Sequence, residues 1–293
     1  MQIFDRRLLR RRRDRAAKTA SRYDFLLRLS ASRLTERLDM VKRDFPVMLD
    51  LGSANGILAD ALMQRPGTKN IIRCDFSWPL LASNTSTMPA VVMDEENLPF
   101  ARNSLDAVVS NLNLHWVNDL PGALLQIKNA LRPDGLFLCA VLGGETLFEL
   151  RQSLMQAEMN VMGGASPRVS PLIDLRDMGS LMQRAGFSLP VVDSERITVD
   201  YATPFSLMHD LRGMGAANAT VNRLKKPTRR AVIMEAARLY QQEHTDKNGR
   251  VSATFDVLFA IGWSPHASQQ KPLVPGSAKT RLAEVLETSE IKI

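Results

Sequence analysis

The sequence predicts an α/β fold in which a mostly parallel sheet carries helices on both faces. The first observation is the stretch from Phe45 to Leu62, where a short apolar run enters a turn containing Gly52 and Gly56 and continues as a helix. The second is the alternation of six further apolar runs with segments of helical periodicity. Together they predict a Rossmann-like sheet of seven strands.

Acidic residues follow the first three strands. Asp50 lies at the carboxyl end of the first strand, and Asp75 ends the second run, 19 residues after Gly56. Asp94 and Glu95 follow the third run. Carboxylates repel a pyrophosphate, which disfavours NAD, whereas they suit an ammonium, a ribose diol and an adenine amino group. S-adenosylmethionine (SAM) offers all three groups. We therefore expect SAM to be bound by Asp50, Gly52, Ser53, Gly56, Asp75, Asp94, Glu95 and Asn111.

Two polar segments near the expected ligand edge contain candidate catalytic groups. His115 lies just after the fourth apolar run and is either a proton acceptor or a hydrogen-bonded structural histidine. Glu145 and Glu149 follow the fifth run and are expected one turn apart on one helix face. They would either pair with a cationic substrate such as an arginine side chain or simply complement the helix dipole. The usual spacings of metal ligands are absent, so no metal is expected.

Positive charge is concentrated in residues 1–43. These residues hold 14 Lys and Arg against 5 Asp and Glu, a net charge of +9, whereas the rest of the chain holds 24 against 26. We predict a basic helical arm here, outside the ligand edge of the sheet, so that its removal would leave cofactor binding unchanged. The arm would dock an acidic partner or an anionic membrane surface, or be a solvated helix end. Nucleic acid is not expected, because no aromatic residue interrupts the cluster of charges before Tyr23.

The rest of the chain is predicted to be one catalytic domain, residues 44–263, followed by a tail, residues 264–293. A helical insertion at about residues 204–247 precedes the last strand and is placed to act as a lid. No apolar stretch reaches the roughly 18 residues of a membrane span, and Asp5 and Asp14 argue against a transit peptide. We expect a cytoplasmic bacterial protein. Cys74 and Cys139 lie in apolar runs, which predicts buried free thiols.

The successive motifs resemble those of class I SAM-dependent methyltransferases of the type 11 group. The resemblance rests on the run from Leu49 to Gly56, on Asp75, on Asp94 with Leu98-Pro99-Phe100, and on Arg132-Pro133-Asp134-Gly135. Two positions of the first loop depart from the usual pattern, because Ala54 replaces a glycine and Ser53 a common cysteine. The resemblance implies a SAM-binding enzyme.

Further runs resemble the branch of methyltransferase-like assembly factors of respiratory complex I. They include Ile3-Phe4-Asp5-Arg6, Leu114 to Pro121, Gly143 to Leu147, Gly213-Met214-Gly215, and Gly262-Trp263 with His266, Ser268, Gln269, Pro272 and Gly276-Ser277-Ala278. This resemblance implies hydroxylation of an arginine in a complex I subunit. Two alternatives stay open: an O-methyltransferase acting on a carrier-bound malonyl group of biotin synthesis, and a non-enzymatic SAM-binding assembly chaperone.

Overall fold

The computed structural model describes residues 2–270, 276–277 and 280–288. Its strands are β1 (Val47–Leu51), β2 (Asn70–Asp75), β3 (Ala90–Val92), β4 (Leu105–Asn111), β5 (Leu131–Leu142), β6 (Ser188–Tyr201) and β7 (Val251–Trp263). Its helices are α1 (Arg6–Ala16), α2 (Phe25–Asp39), α3 (Ile57–Met63), α4 (Trp78–Ala82), α5 (Leu120–Ala130), α6 (Phe148–Met162), α7 (Leu175–Arg184), α8 (Pro204–Gly213), α9 (Arg230–His244) and α10 (Leu282–Val285).

The seven strands of these described ranges form one sheet with the order β3-β2-β1-β4-β5-β7-β6. Strands β1 to β5 pair in parallel, whereas β7 runs antiparallel between β5 and β6. The chain builds one side of the sheet from β1 outward and then returns to start β4 on the other side of β1. This reversal opens a crevice at the carboxyl ends of β1 and β4, which is where open α/β sheets bind ligands.

Two apolar clusters cover the faces of the sheet and confirm the predicted α/β fold. On one face, Leu34 and Leu38 of α2 pack with Leu62 of α3. On the other face, Ile127 of α5 packs in a cluster with Met182 of α7. Full burial of each such side chain contributes about 1.5–3 kcal/mol. Helix α2 lies in the predicted arm segment, residues 1–43. The spacing of its apolar residues predicts one face that packs against the core domain, and Leu34 and Leu38 do so.

Helix starts near the site are fixed by side-chain caps. Asp119 accepts a hydrogen bond from the Gly122 N–H before α5, Asp174 accepts one from Asp177 before α7, and Thr203 accepts one from Ser206 before α8. Each cap stabilises its helix by about 1 kcal/mol. The insertion between β6 and β7 consists of α8, a connecting segment and α9.

Some local expectations differ from the structure. The sequence predicts a bend or break in the sixth strand near Asp193, but β6 is continuous and its register shifts only between Ser188 and Val191. Its continuous pairing with β7 overrides the polar residues in its middle. Cys74 and Cys139 are buried free thiols, as predicted. In the part of the chain that is described, no helix is long and apolar enough to cross a bilayer. Pro272 and Ala278 of the predicted tail lie outside the described residues.

Candidate functional site

The loop after β1 needs both of its glycines. Gly52 has a φ of +75°, and a Cβ atom there would lie 2.1 Å from the side chain of Asn113. Gly56 has a φ of +79° directly before α3, and a Cβ atom there would lie 2.3 Å from Asn84. Ala54 also has a left-handed conformation, with a φ of +49°. That conformation costs an L residue about 1–2 kcal/mol, so the loop is strained at Ala54.

Asp50 is a fully buried carboxyl group at the carboxyl end of β1. Neither of its oxygens makes a hydrogen bond of good geometry among the described residues, although the Ser53 hydroxyl and the Ala59 N–H lie close enough to oppose the effect of burial on its pKa. Burial raises the pKa of Asp50 to about 7. An unpaired buried carboxyl group of this kind suits a ligand that brings a cationic donor such as an ammonium.

Asp75 lies at the end of β2, where the sequence places the ribose-binding acid. One oxygen accepts a hydrogen bond from the Ser77 N–H at 2.8 Å, and the other accepts one from the Ala54 N–H at 3.2 Å. Burial raises the pKa of Asp75 to about 6, an effect that the cation of Arg13 opposes. The acid is therefore tied directly to the loop after β1.

The arm lies against this acidic site, so the expectation that it stays outside the ligand edge is wrong. Arg13 Nη1 is 3.6 Å from Asp75 Oδ2 and 3.9 Å from Glu95 Oε1. Arg6 pairs with Asp94 at 2.7 Å and also with Glu95. Both guanidinium groups lie over the ring of Phe76, at 4.5 and 4.7 Å from its centroid. Asp75, Asp94 and Glu95, three of the acids from which SAM binding is predicted, thus lie beside arginines of the same chain.

Two asparagines, one at the end of β4 and one just after it, have different roles. The amide of Asn111 donates to the Leu27 carbonyl at 2.9 Å and accepts from the Ser30 hydroxyl at 2.6 Å, so it attaches α2 to the sheet. Asn113 donates to Glu95 at 2.9 Å, while its buried Oδ1 has no partner among the described residues. Both line the cavity, but Asn113 has the free acceptor. The sequence pattern places Asn111, Asn113 and His115 in one alternating polar set that can face the pocket, and of the two asparagines only Asn111 was assigned to the cofactor.

His115 is buried beside the cavity and is neutral at physiological pH. Burial lowers its pKa to about 3, and the cation of Arg13 lowers it further. Its Nδ1 accepts the Leu142 N–H at 3.5 Å, a contact that leaves the hydrogen on Nε2. A neutral imidazole with this tautomer is a hydrogen-bond donor toward a ligand and a weak proton acceptor. Its catalytic role stays a prediction.

The predicted pair of Glu145 and Glu149 on one helix face is wrong. Glu145 is exposed in the turn before α6, which begins only at Phe148. Glu149 is buried, and its Oε1 accepts a hydrogen bond from the Thr254 hydroxyl at 2.5 Å. Neither carboxylate lines the cavity. The glycines after β5 continue as an irregular turn, which separates the two side chains.

A cavity of about 340 Å³ lies between the arm, the loop after β1 and the insertion. Its lining includes the polar side chains of Asn113 and His115 and is otherwise mostly apolar. Among the residues that the structure describes, no carboxylate lines this cavity, whereas Arg13, Arg168 and Arg212 do. Arg168 forms an ion pair with Glu158, with Nη2 of Arg168 2.5 Å from Oε1 of Glu158.

The arm and the insertion are joined above the cavity. Phe4 forms an antiparallel bridge with Thr220, and Arg12 donates to the Ala217 carbonyl at 2.6 Å. A Cβ atom at Gly213 would lie 2.4 Å from the ring of Tyr23. This close packing explains Gly213, whereas Gly215 has a φ of +74°, which favours glycine. The arm and the insertion therefore cover the cavity together.

The sequence contained a signal for the arm contact that was not used. Arg6, Leu9, Arg13 and Ala16 follow one another at helical spacing, and the structure buries Leu9, Arg13 and Ala16. An arginine on the buried stripe of a helix needs an anionic partner. The oxygens of Asp50 and Asn113 that lack a partner lie next to the loop after β1, where Asn113 packs against Gly52, and they fit the ammonium and hydroxyl donors of SAM.

Residues 49–139 match the family model described as a methyltransferase domain. The chain is 40% identical to "Arginine-hydroxylase NDUFAF5, mitochondrial" of Danio rerio, over 100% of this chain and 92% of the relative. It is 33% identical to "Malonyl-[acyl-carrier protein] O-methyltransferase" of Methylovorus sp. (strain MP688), over 92% of this chain and 93% of the relative.

The fold is shared with Haemonchus contortus phosphoethanolamine N-methyltransferase 2 in complex with SAM, at a TM-score of 0.51 and 17% identity over 80% of this chain and 53% of that one. This likeness concerns the fold alone. The longer sequence matches decide the family. The chain belongs to the methyltransferase-fold enzyme family that includes the NDUFAF5 arginine hydroxylases and the malonyl-carrier O-methyltransferases.

Proposed function

We propose that this chain binds SAM beside the loop after β1 and hydroxylates an arginine of a respiratory complex I subunit during assembly. One observation carries the proposal: the 40% identity with the Danio rerio arginine hydroxylase extends over the whole chain, including the arm. The match to the malonyl-carrier enzyme of Methylovorus sp. is weaker, at 33%. A cytoplasmic location, expected from the sequence, is part of the same proposal.

Cofactor binding in this proposal rests on the chain's own acids. Asp75 would accept the ribose hydroxyls, and Asp50 would face the ammonium, because it is buried without a partner. Asn113 and the Nε2 hydrogen of His115 would orient the ligand from the side of β4. Bound SAM would supply a sulfonium charge and an electrophilic methyl group. The proposed hydroxylation does not consume it.

Asp75→Ala tests the cofactor site. Loss of a charge-assisted hydrogen bond to the ribose should weaken SAM binding at least about tenfold, or about 1.5–3 kcal/mol. Titration calorimetry measures this, and Asp60→Ala, an exposed acid on α3, serves as a matched control. Unchanged affinity in Asp75→Ala, or competition by NADH at equal concentration, would remove the support for this site.

The reaction is tested by the mass of the substrate. A complex I subunit incubated with the protein, SAM, dioxygen and a two-electron reductant should contain an arginine in which one C–H bond has become C–OH. The subunit gains one oxygen atom, the second oxygen atom leaves as water, and no S-adenosylhomocysteine is released. A gain of one methylene group with stoichiometric S-adenosylhomocysteine would instead show methyl transfer.

A second function is favoured by the chemistry of the cavity wall. Arg13, Arg168 and Arg212 line the cavity and no described carboxylate does, so the cavity suits an anionic group better than a guanidinium. A malonyl group on a carrier protein ends in such a carboxylate. Under this alternative the chain would transfer the SAM methyl group to that carboxylate, and Arg212→Gln would raise the KM for malonyl carrier protein. Lys69→Gln, at the opposite edge of the sheet, would leave the KM unchanged.

A further inference from the structure

Helix α1 lies between the cavity and two of the acids that are expected to bind the cofactor. Asp75 and Glu95 are fully buried, and neither lines the cavity. Arg13 and Ala16, on the inner face of α1, do line it. Because Asp75 is fully buried, a ribose can reach its carboxylate only if a neighbouring group moves. Arg13, with Nη1 3.6 Å from Asp75 Oδ2, is the charged neighbour that also lines the cavity.

Arg6 covers the other acids of the expected site. Its Nη2 is 2.7 Å from Oδ1 of Asp94, and it also pairs with Oε2 of Glu95. Its Nη1 donates to the Trp116 carbonyl at 3.3 Å. The second oxygen of Glu95 accepts the Asn113 amide at 2.9 Å. Both oxygens of Glu95 therefore have a partner within the chain.

Together the two guanidinium groups make the kinds of contact that an adenosine would make at this place. They pair with the three acids that are the expected acceptors for ribose hydroxyls and an adenine amino group. They also lie over the ring of Phe76, at 4.5 and 4.7 Å from its centroid. A guanidinium is planar and lies on aromatic faces as a base does. Arg6, Arg13 and an adenosine would therefore use one set of partners.

The packing of α1 suits a helix that can be loosened without unfolding the sheet. Its buried Leu9 packs with Phe4, Phe76 and Trp116 in a small apolar cluster. In the described part of the chain, none of the three larger apolar clusters contains a residue of α1. An element held by few buried apolar contacts can open locally at low free-energy cost.

The segment between α1 and α2 contains a hinge. Residues Ala17–Arg22 form a short 3₁₀ helix, and Thr19 within it departs from helical geometry, with a φ of −131° and a ψ of 15°. Just after this segment, Tyr23 is hydrogen-bonded to His209 of α8 at 2.9 Å. Changes in φ and ψ at one such residue suffice to redirect an element. The direction of α1 can therefore change while α2 stays on the sheet.

We propose that Arg6 and Arg13 compete with the adenosine part of SAM, so that cofactor binding displaces both side chains and loosens α1. This inference rests on the proposed function, because it takes the acids after β2 and β3 as the cofactor site. By thermodynamic reciprocity, a change that loosens α1 raises the affinity for the cofactor.

The displacement would also reach the cover of the cavity. Arg12 of α1 donates to the Ala217 carbonyl at 2.6 Å, and Phe4 bridges Thr220. A loosened α1 would weaken these contacts with the insertion. The cavity would then open to the substrate after the cofactor has bound.

The test compares two double variants of the full chain that lose the same charge from the same helix. Arg6→Gln/Arg13→Gln, the inner-face variant, removes the competing guanidinium groups. Arg7→Gln/Arg10→Gln, on the exposed face, is the matched control. Each is titrated calorimetrically with SAM and with 5′-methylthioadenosine, which keeps the adenosine but carries no charge. The uncharged ligand separates competition from a loss of repulsion between the arginines and the cations of SAM.

The inner-face variant should bind both ligands at least about fivefold more tightly than wild type, and the control should differ from wild type by less than about twofold. Tightening for SAM alone would assign the effect to charge and overturn the proposal. Unchanged or weaker binding of 5′-methylthioadenosine, or equal tightening in the control, would overturn it as well.

A second measurement uses the wild-type chain and needs no substitution. Saturating SAM should speed up amide hydrogen exchange in residues 6–16 at least about tenfold, but not in β1 or β4. Slower exchange in α1 would show that this helix closes over the cofactor, which would overturn the proposal. Absence of SAM binding in every variant would overturn the proposed function together with the proposal. Weakened binding in Asp75→Ala without tightening in the inner-face variant would overturn the competition alone.

Discussion

Arg13 Nη1 lies 3.6 Å from Asp75 Oδ2, which places a cation of the N-terminal helix beside the acid at the end of β2. Both side chains are almost completely buried. The contact makes the arm part of the candidate cofactor site. It also means that the charge of the site depends on the position of α1.

Arg13→Ala should destabilise the protein in a pH-dependent way. The substitution leaves Asp75 and Glu95 without this nearby cation, which should lower the free energy of unfolding by about 1–3 kcal/mol at pH 8. The pKa of Asp75 is about 6, so at pH 5 the carboxyl group is mostly protonated and the loss should be smaller. Urea unfolding at the two pH values measures it, and Arg11→Ala on the exposed face is the control. An equal loss at both pH values would contradict the role of this contact.

Asp50→Asn should stabilise the protein at high pH. Burial raises the folded-state pKa of Asp50 from 3.8 to about 7, so the folded state holds its proton more tightly than the unfolded chain. The stability from this group is therefore complete below pH 4 and is lost as the pH rises through 7. At pH 8 Asp50→Asn should be more stable than wild type by about 2–4 kcal/mol, with little difference at pH 4. Thermal unfolding between pH 4 and pH 8 measures the difference in stability between Asp50→Asn and wild type. A difference that does not change with pH would refute the prediction.

Ala54→Gly should stabilise the loop after β1. Glycine accepts the φ of +49° at this position without steric cost, although it adds freedom to the unfolded chain. The net gain should be about 0.5–1 kcal/mol in denaturant unfolding. Ala61→Gly, inside α3, should instead lose about 1 kcal/mol. Destabilisation by Ala54→Gly would show that the left-handed conformation is not strained.

Gly213→Ala should loosen the arm. The new Cβ atom would lie 2.4 Å from the ring of Tyr23, so Tyr23 would have to move, and its hydrogen bond to His209, now 2.9 Å, would be lost. Hydrogen exchange of residues 2–22 should speed up at least about tenfold. Gly144→Ala, where a Cβ atom meets nothing within 4 Å, is the matched control. Equal exchange rates in the two variants would contradict the packing role of Gly213.

The seven strands and the acids that follow three of them were predictable, because each is a local feature. A strand and the residue at its carboxyl end are adjacent in the chain, so the sequence pattern alone places Asp50 and Asp75 at one edge of a parallel sheet. The need for glycine at positions 52 and 56 can also be predicted from the neighbouring residues. The structure shows in addition why no larger residue fits at position 52, since the side chain of Asn113 fills the space in front of Gly52.

The order of elements, the family motifs and the ligand edge can all be predicted from the sequence, since periodicity and turn residues act over a few neighbours. Which side chains are available at that edge depends instead on contacts between distant parts of the chain. The Asn111 amide donates a hydrogen bond to the carbonyl of Leu27, 84 residues away. Glu149 accepts one from the hydroxyl of Thr254, 105 residues away. Such pairs depend on how helices pack against distant strands, and burial strengthens each pairing by removing the competing water. For the same reason the arm, which by charge alone belongs to the solvent, covers the acids of the site with its inner face.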